Sequence, residues 1–126
     1  MRPRRPEDFL PLTPLTFHIL LVLAREKNHG YGLMKDIRER TEGGLDPATG
    51  TVYLALQRLE DDGLILDAKS ERRKSGDTRR RYYRLSPLGL RVARAEAERL
   101  AGLVEMAAEV KLLGAAALTS RSGRDG

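Results

Sequence analysis

The run Asp46-Pro47-Ala48-Thr49-Gly50-Thr51-Val52-Tyr53-Leu54-Ala55-Leu56-Gln57-Arg58-Leu59-Glu60-Asp61-Asp62-Gly63-Leu64-Ile65-Leu66 decides the fold. Asp46 followed by Pro47 reads as an N-cap and first helical position, because a proline there forfeits only an N–H that has no helical partner. At 100° per residue, Thr49, Val52, Leu56 and Leu59 fall on one side. Gly50, Thr51, Leu54, Arg58 and Asp61 fall on the other, so an apolar face is set against a small and polar one. Gly63 ends the helix, and Leu64-Ile65-Leu66 reads as a short strand. Downstream, a charged stretch containing Ser75-Gly76-Asp77 leads to Arg81-Tyr82-Tyr83-Arg84-Leu85, which reads as the return strand of a hairpin with a long tip.

Two further helices precede this run. One is predicted from Thr13, an N-cap before Pro14, to Lys27, with Leu15, Ile19, Val22 and Leu23 at helical spacing and Leu20 and Leu21 widening the stripe. Asn28-His29-Gly30 breaks it, and the second runs from about Tyr31 to Thr41, with Leu33, Met34 and Ile37 inward and Gly43-Gly44 as its stop. After the hairpin, Ser86-Pro87 repeats the cap-plus-proline device and opens the longest helical pattern, Leu88 to Leu113 or slightly beyond. Along it Leu103, Met106, Val110, Leu113 and Ala117 are spaced 3, 4, 3 and 4 residues apart, a seam that favours helix pairing. Three compact helices and a hairpin describe a winged helix-turn-helix, a mainly α fold with a small antiparallel β-hairpin, here continued by a long C-terminal helix. The expected organisation is a basic arm over 1–12, the winged helix-turn-helix over 13–85, a C-terminal helix over 86–118 and a disordered tail over 119–126.

Charge is distributed to match. The chain has 126 residues, 23 Lys and Arg against 18 Asp and Glu, and a net charge of +5. Residues 1–6 carry +3, residues 7–68 carry −5, residues 69–84 carry +6 and the remainder +1. The basic segment is therefore the tip and return strand of the hairpin, the wing, and clustered cations on one edge of a fold are what phosphate neutralisation requires. Length allows one domain and one modest core. Without cysteine there is no disulfide framework, thiolate zinc site or cysteine nucleophile. His18 and His29 lack companions at ligand spacing, and no phosphate-binding Gly-rich loop, His-Glu-x-x-His or activated-serine elbow is present, so neither an enzyme nor a metal or other cofactor is expected. The apolar run Ile19 to Ala24 is too short to span a bilayer, and Glu7, Asp8 and Pro11 interrupt the Arg-rich start where a signal peptide would turn apolar. A cytoplasmic protein without membrane contact is the expectation.

Three blocks of sequence resemble the PadR family of bacterial transcriptional regulators: His29-Gly30-Tyr31-Gly32-Leu33, Gly50-Thr51-Val52-Tyr53-Leu54-Ala55-Leu56-Gln57-Arg58-Leu59-Glu60 running into Gly63-Leu64-Ile65, and Arg81-Tyr82-Tyr83-Arg84-Leu85-Ser86-Pro87-Leu88-Gly89. Their order and spacing cover roughly residues 12–100, and the family often has Pro where this chain has Leu54. The short chain is similar to the smaller subfamily, in which a single C-terminal helix replaces a larger domain. The resemblance implies a homodimeric repressor of double-stranded DNA, dimerised through its C-terminal helices and its N-terminal helix, and a small-molecule effector or other signal that relieves repression. Leu15, Ile19, Leu103, Met106, Val110 and Leu113 are the candidate dimer residues.

The DNA candidates each have a plainer reading beside them. Thr49, Thr51 and Tyr53 open the third helix, where hydroxyls and free N–H groups meet phosphates or base edges; alternatively Thr49 caps the helix and Tyr53 packs on the core's flank. Arg58 reaches a phosphate or a guanine, or else pairs with Glu60, Asp61 or Asp62. Tyr31 opens the second helix, and the resemblance implies a place for it beside the DNA backbone, with Lys35 one turn on; alternatively its ring packs against helix three. Arg72, Arg73 and Lys74 at the wing tip are phosphate contacts, joined by Arg79, although Arg79 to Arg81 cannot all face one way on a strand. Tyr83 and Leu85 cover the core, and Gly30 and Gly63 serve the backbone. The rival to a DNA-binding role is a winged-helix module that holds a protein partner on the same surface.

Overall fold

The computed structural model describes residues 4–69, 76 and 80–114. A single 3-10 turn, Pro6–Phe9, precedes α1 (Pro14–Arg25), β1 (Asn28–His29), α2 (Gly30–Arg40), α3 (Thr49–Asp61), β2 (Ile65–Asp67), β3 (Tyr82–Leu85) and α4 (Pro87–Glu109). The winged helix-turn-helix and its long C-terminal helix are as the sequence predicts. The sheet, however, has three strands in the order β1-β3-β2, both pairings antiparallel. Asn28 and His29 stand opposite Tyr83 and Tyr82, so the break between the first two helices is also the outer strand of the wing. Two residues are too few to carry a period, and only the pairing with β3 defines this strand.

Local chemistry sets the boundaries. The Thr13 hydroxyl accepts the Thr16 N–H at 3.2 Å ahead of Pro14, capping α1 as read. The α3 start departs from the sequence reading: Asp46 and Pro47 stay outside the helix, its N-cap is Ala48, and no side chain caps it. Asp46 instead lies 4.0 Å from Arg38 across the α2–α3 connection. The far end is a Schellman motif. Gly63 adopts φ 76°, its N–H donates to the Glu60 carbonyl at 3.0 Å, and the Leu64 N–H donates to that of Leu59 at 2.9 Å.

Ser86 joins the wing to α4. Its hydroxyl donates to the Gly63 carbonyl at 2.6 Å and accepts the Gly89 N–H at 2.9 Å. Gly89 packs so closely that a Cβ there would lie 2.0 Å from the Leu64 carbonyl oxygen. Helix α4 is shorter than predicted. It stops at Glu109 in a second Schellman motif, with Lys111 at φ 65° and the Leu112 N–H donating to the Ala107 carbonyl at 2.9 Å. Val110 is consequently the C-cap and Leu113 lies beyond the helix, which corrects the seam expected to run on through both; Ala117 and the expected tail lie outside the described residues.

One core unites the elements: Ile19, Leu20 and Leu23 of α1, Leu33 and Ile37 of α2, Val52 and Leu56 of α3, Leu64 and Ile65 at the start of the wing, Tyr83 of β3 and Val92 of α4. Ile19 has no exposed surface, so its expected place in a dimer contact is corrected: it is part of the monomer's own core. Tyr83 is buried and Leu85 packs against the core, as read. Glu96 of α4 is also buried. Its carboxylate accepts the Leu12 N–H at 2.7 Å and the Arg99 guanidinium, which straps the segment before α1 onto α4. The hydrogen bond from Arg99, aided by that from Leu12, holds the carboxyl below its ordinary value against the opposing effect of burial.

Candidate nucleic-acid interface

Helix α3 turns Val52, Leu56 and Leu59 inward and leaves Thr49, Gly50, Thr51, Tyr53, Leu54, Gln57 and Arg58 exposed. Because Ala48 supplies no capping oxygen, the first-turn N–H groups lack a side-chain acceptor at the end of the helix that carries two threonine hydroxyls. Free donors, the positive end of the helix dipole and hydroxyls on one turn suit an anionic oxygen. Thr49 sits inside the first turn and does not cap it, which removes its plainer reading. Leu54 is 65% exposed within regular helix, so Leu in place of the family's frequent Pro presents an aliphatic side chain outward.

Tyr53 is 49% exposed, and its ring lies over Gly30 at the start of α2, where a Cβ would come within 2.9 Å of Cζ and the hydroxyl. Glycine at position 30 therefore gives room to a side chain of the neighbouring helix, a closer role than the backbone device read from the sequence. Next to it, Tyr31 is 57% exposed, which places its ring outside the core. The His29 ring stacks on Tyr31 at 6.4 Å and meets Tyr82 edge-on at 5.0 Å. His29 Nδ1 accepts the Gly32 N–H at 3.0 Å, capping α2, while its Nε2 lies 3.2 Å from Arg80 Nη1. Arg80 in turn sits 5.5 Å above the Tyr31 ring. Lys35 is exposed one turn beyond Tyr31. Tyr53 of α3 and Tyr31 of α2 thus flank Gly30, with Lys35 one turn further along α2, while Thr49 and Thr51 lie on the first turn of α3 and Thr51 faces the start of α1. Sequence reasoning missed His29, Gly30 and Arg80 as members of this cluster; the signal available was the His29-Gly30-Tyr31-Gly32 block, whose cap and close approach appear only in three dimensions.

The return strand sorts its cations by direction. Arg81 donates to Asp67 at 3.0 Å and to Glu60 at 2.7 Å, so it closes the base of the wing against α3 and faces away from Arg80. That engagement, with Asp62 held by Arg4 at 3.2 Å, takes up two of the acids expected near Arg58. Among the described residues Arg58 has no ion pair, and its surface salt-bridge reading is corrected accordingly. Arg72, Arg73, Lys74 and Arg79 lie outside the described residues.

The dimer candidates are divided. Leu15 is half-buried against the core, Leu113 is half-buried beyond α4, and Leu103, Met106 and Val110 are exposed, the last two at 60% and 67%. Val104, on another face of α4, and Leu112, beyond the helix end, are also exposed. Among the described residues no group of His, Cys, Asp and Glu could hold a metal ion, and no helix is long and apolar enough to cross a membrane.

A wing beside an uncapped, hydroxyl-bearing third helix defines the winged helix-turn-helix class of transcriptional regulators. Residues 19–95 match the transcriptional regulator PadR-like family, and the chain belongs to that family. It is 38% identical over 106 residues to the transcriptional regulator Rv3488 of Mycobacterium tuberculosis, a match covering 84% of this chain and 89% of that one. It is also 34% identical over 67 residues to the transcriptional regulator YqjI of Escherichia coli, where the match takes in 53% of this chain and only 32% of the relative's length. Among solved structures, a PadR family transcription regulator from Clostridium difficile is similar with a TM-score of 0.66 and 27% identity, over 78% of this chain and 98% of that one. A transcriptional regulator from Clostridium thermocellum is similar with a TM-score of 0.63 and 27% identity, over 79% and 90% of the two chains.

Proposed function

We propose that the chain is a homodimeric, sequence-specific repressor that binds an inverted repeat in double-stranded DNA and is released by a small-molecule effector, acting in the cytoplasm. The observation that carries this reading is the exposed start of α3, with Thr49, Thr51 and Tyr53 around uncapped N–H groups and Tyr31 and Arg80 beside it. Each α3 enters a major groove, and two-fold symmetry sets the half-sites about one helical turn, roughly 34 Å, apart. The wing cations, Arg72, Arg73 and Lys74 with Arg79, supply affinity along the phosphates, and Tyr31 and Lys35 steady the backbone. Arg58 contributes a phosphate or guanine contact. Leu103, Met106 and Val110 of two copies cover one another in the dimer, and Leu15 and Leu113 lie at its margin.

Titration of a labelled duplex at several salt concentrations tests the electrostatic part. If about six phosphates are neutralised per dimer, log K falls against log salt with a slope near −5. A flat salt dependence contradicts it, and a dimer that binds no duplex at low salt favours a protein-interaction role. Joint replacement of Arg72, Arg73 and Lys74 by Ala weakens binding to all sequences alike; a loss confined to one sequence counts against the wing assignment.

A further inference from the structure

A cleft of about 470 Å³ opens along the flank of α3, between that helix, the start of α1 and the segment before it. Leu12, Leu15, Ala55 and Leu59 give it aliphatic walls, and Leu54 and Arg58 stand among its lining residues on the α3 side. The volume falls within the usual range for small-molecule sites, which combine apolar walls with a few polar groups. Its acidic lining residues are engaged: Asp62 accepts from Arg4 at 3.2 Å, and Asp8 accepts the Arg5 N–H at 2.8 Å. Arg4 is held by that pair and lies over the Phe9 ring at 4.1 Å. Arg58 is left as the lining cation without an ion pair among the described residues. The electrostatic demand of the cleft is thus one anion attached to an apolar body. Phe9 is its aromatic lining residue, and because the Arg4 guanidinium covers a face of that ring, an aliphatic body fits better than a planar aromatic one.

We infer that this cleft binds a medium-chain aliphatic monocarboxylate, its carboxylate on the Arg58 guanidinium and its chain against Leu12, Leu15, Ala55 and Leu59. An arginine–carboxylate pair beside apolar walls is stronger than the same pair in open water, since the surroundings screen it less. The occupant also has consequences beyond the cleft. Leu54 and Arg58 belong to the exposed face of α3, and Leu12 is hydrogen-bonded through its N–H to Glu96 of α4 at 2.7 Å. If the repressor reading above holds, a carboxylate on Arg58 competes with DNA for that side chain, which makes the cleft an effector site.

Octanoate is the probe, titrated into the full chain without DNA while backbone amide NMR shifts are followed, with 1-octanol as its uncharged counterpart. The expected result is saturable shifts at Leu12, Leu54 and Ala55, octanoate binding about ten-fold tighter than octanol, and loss of that ten-fold advantage in Arg58→Gln, whose octanol affinity is unchanged. Three results overturn the inference: no saturable shift at these positions, equal affinities for octanoate and octanol, or shifts confined to Leu103, Met106 and Val110 on α4. Because binding is read without DNA, its outcome is separate from whether the chain binds a duplex.

Discussion

Replacing Gly30 by Ala separates the geometry of the proposed DNA face from the stability of the fold. The added methyl would stand 2.9 Å from Tyr53 Cζ and from its hydroxyl, and 3.0 Å from Cε1, whereas ordinary contacts begin near 3.4 Å. All three atoms belong to the outer end of a half-exposed side chain, so the phenol moves aside and the backbone holds. Alanine's helical preference over glycine, at most about 1 kcal/mol, offsets part of the crowding, and the melting temperature changes by only a few degrees. DNA binding changes more. A displaced hydroxyl forfeits one contact worth about 1 kcal/mol, a five-fold rise in Kd. Fluorescence anisotropy with a fixed duplex, run as a double-mutant cycle with Tyr53→Ala, tests the route: Gly30→Ala should have no further effect once the ring is gone. An equal loss in both backgrounds would show that the substitution acts through the α2 backbone and would refute the reasoning.

Substitutions at three further positions test the supports of the fold. Gly89→Ala has no such escape, because its Cβ would meet the Leu64 carbonyl oxygen at 2.0 Å; we expect a loss of at least about 3 kcal/mol and a fall in melting temperature of about 10 °C or more. Glu96→Ala leaves the Leu12 N–H without its acceptor and costs about 1–3 kcal/mol, read from urea unfolding at neutral pH, while the accessible Arg99 guanidinium turns to water. Since the folded-state value of Glu96 is lowered, its contribution is fully present above the ordinary value of 4.5 and is lost as pH falls through the folded value; Glu96→Gln should flatten that acid limb. Glu42→Gly, at a left-handed φ of 52° after α2, should stabilise by about 0.5–1 kcal/mol, and a lowered urea midpoint would contradict this account of the α2 terminus.

Periodicity and capping residues made most of the fold legible. Thr13-Pro14 and Ser86-Pro87 cap α1 and α4 where read, and Gly63 ends α3 with the positive φ that its position requires. What stayed hidden depends on contacts between distant residues. β1 exists only by pairing with β3, and α3 starts at Thr49 although Asp46-Pro47 offers a better local signal. The end of α4 at Glu109 was obscured because Lys111, a residue without glycine's freedom, takes the left-handed position. At the candidate site, residue type pointed to Thr51, Tyr53 and Tyr31. The pairing of Arg81, and the absence of an ion pair at Arg58 among the described residues, could not be assigned from sequence, since Glu60 lies close to Arg58 along α3 yet pairs with Arg81 just ahead of β3. Ile19 illustrates the limit of a wide apolar stripe: helical spacing shows which residues share a face, and only packing shows whether that face meets the core or a second chain.

Sequencing the DNA retained by the purified protein from a fragmented genome tests the central claim most directly. The account predicts enrichment of fragments sharing an inverted repeat, with half-sites about one helical turn apart. Uniform recovery of all fragments, or retention of none at low salt, would contradict it.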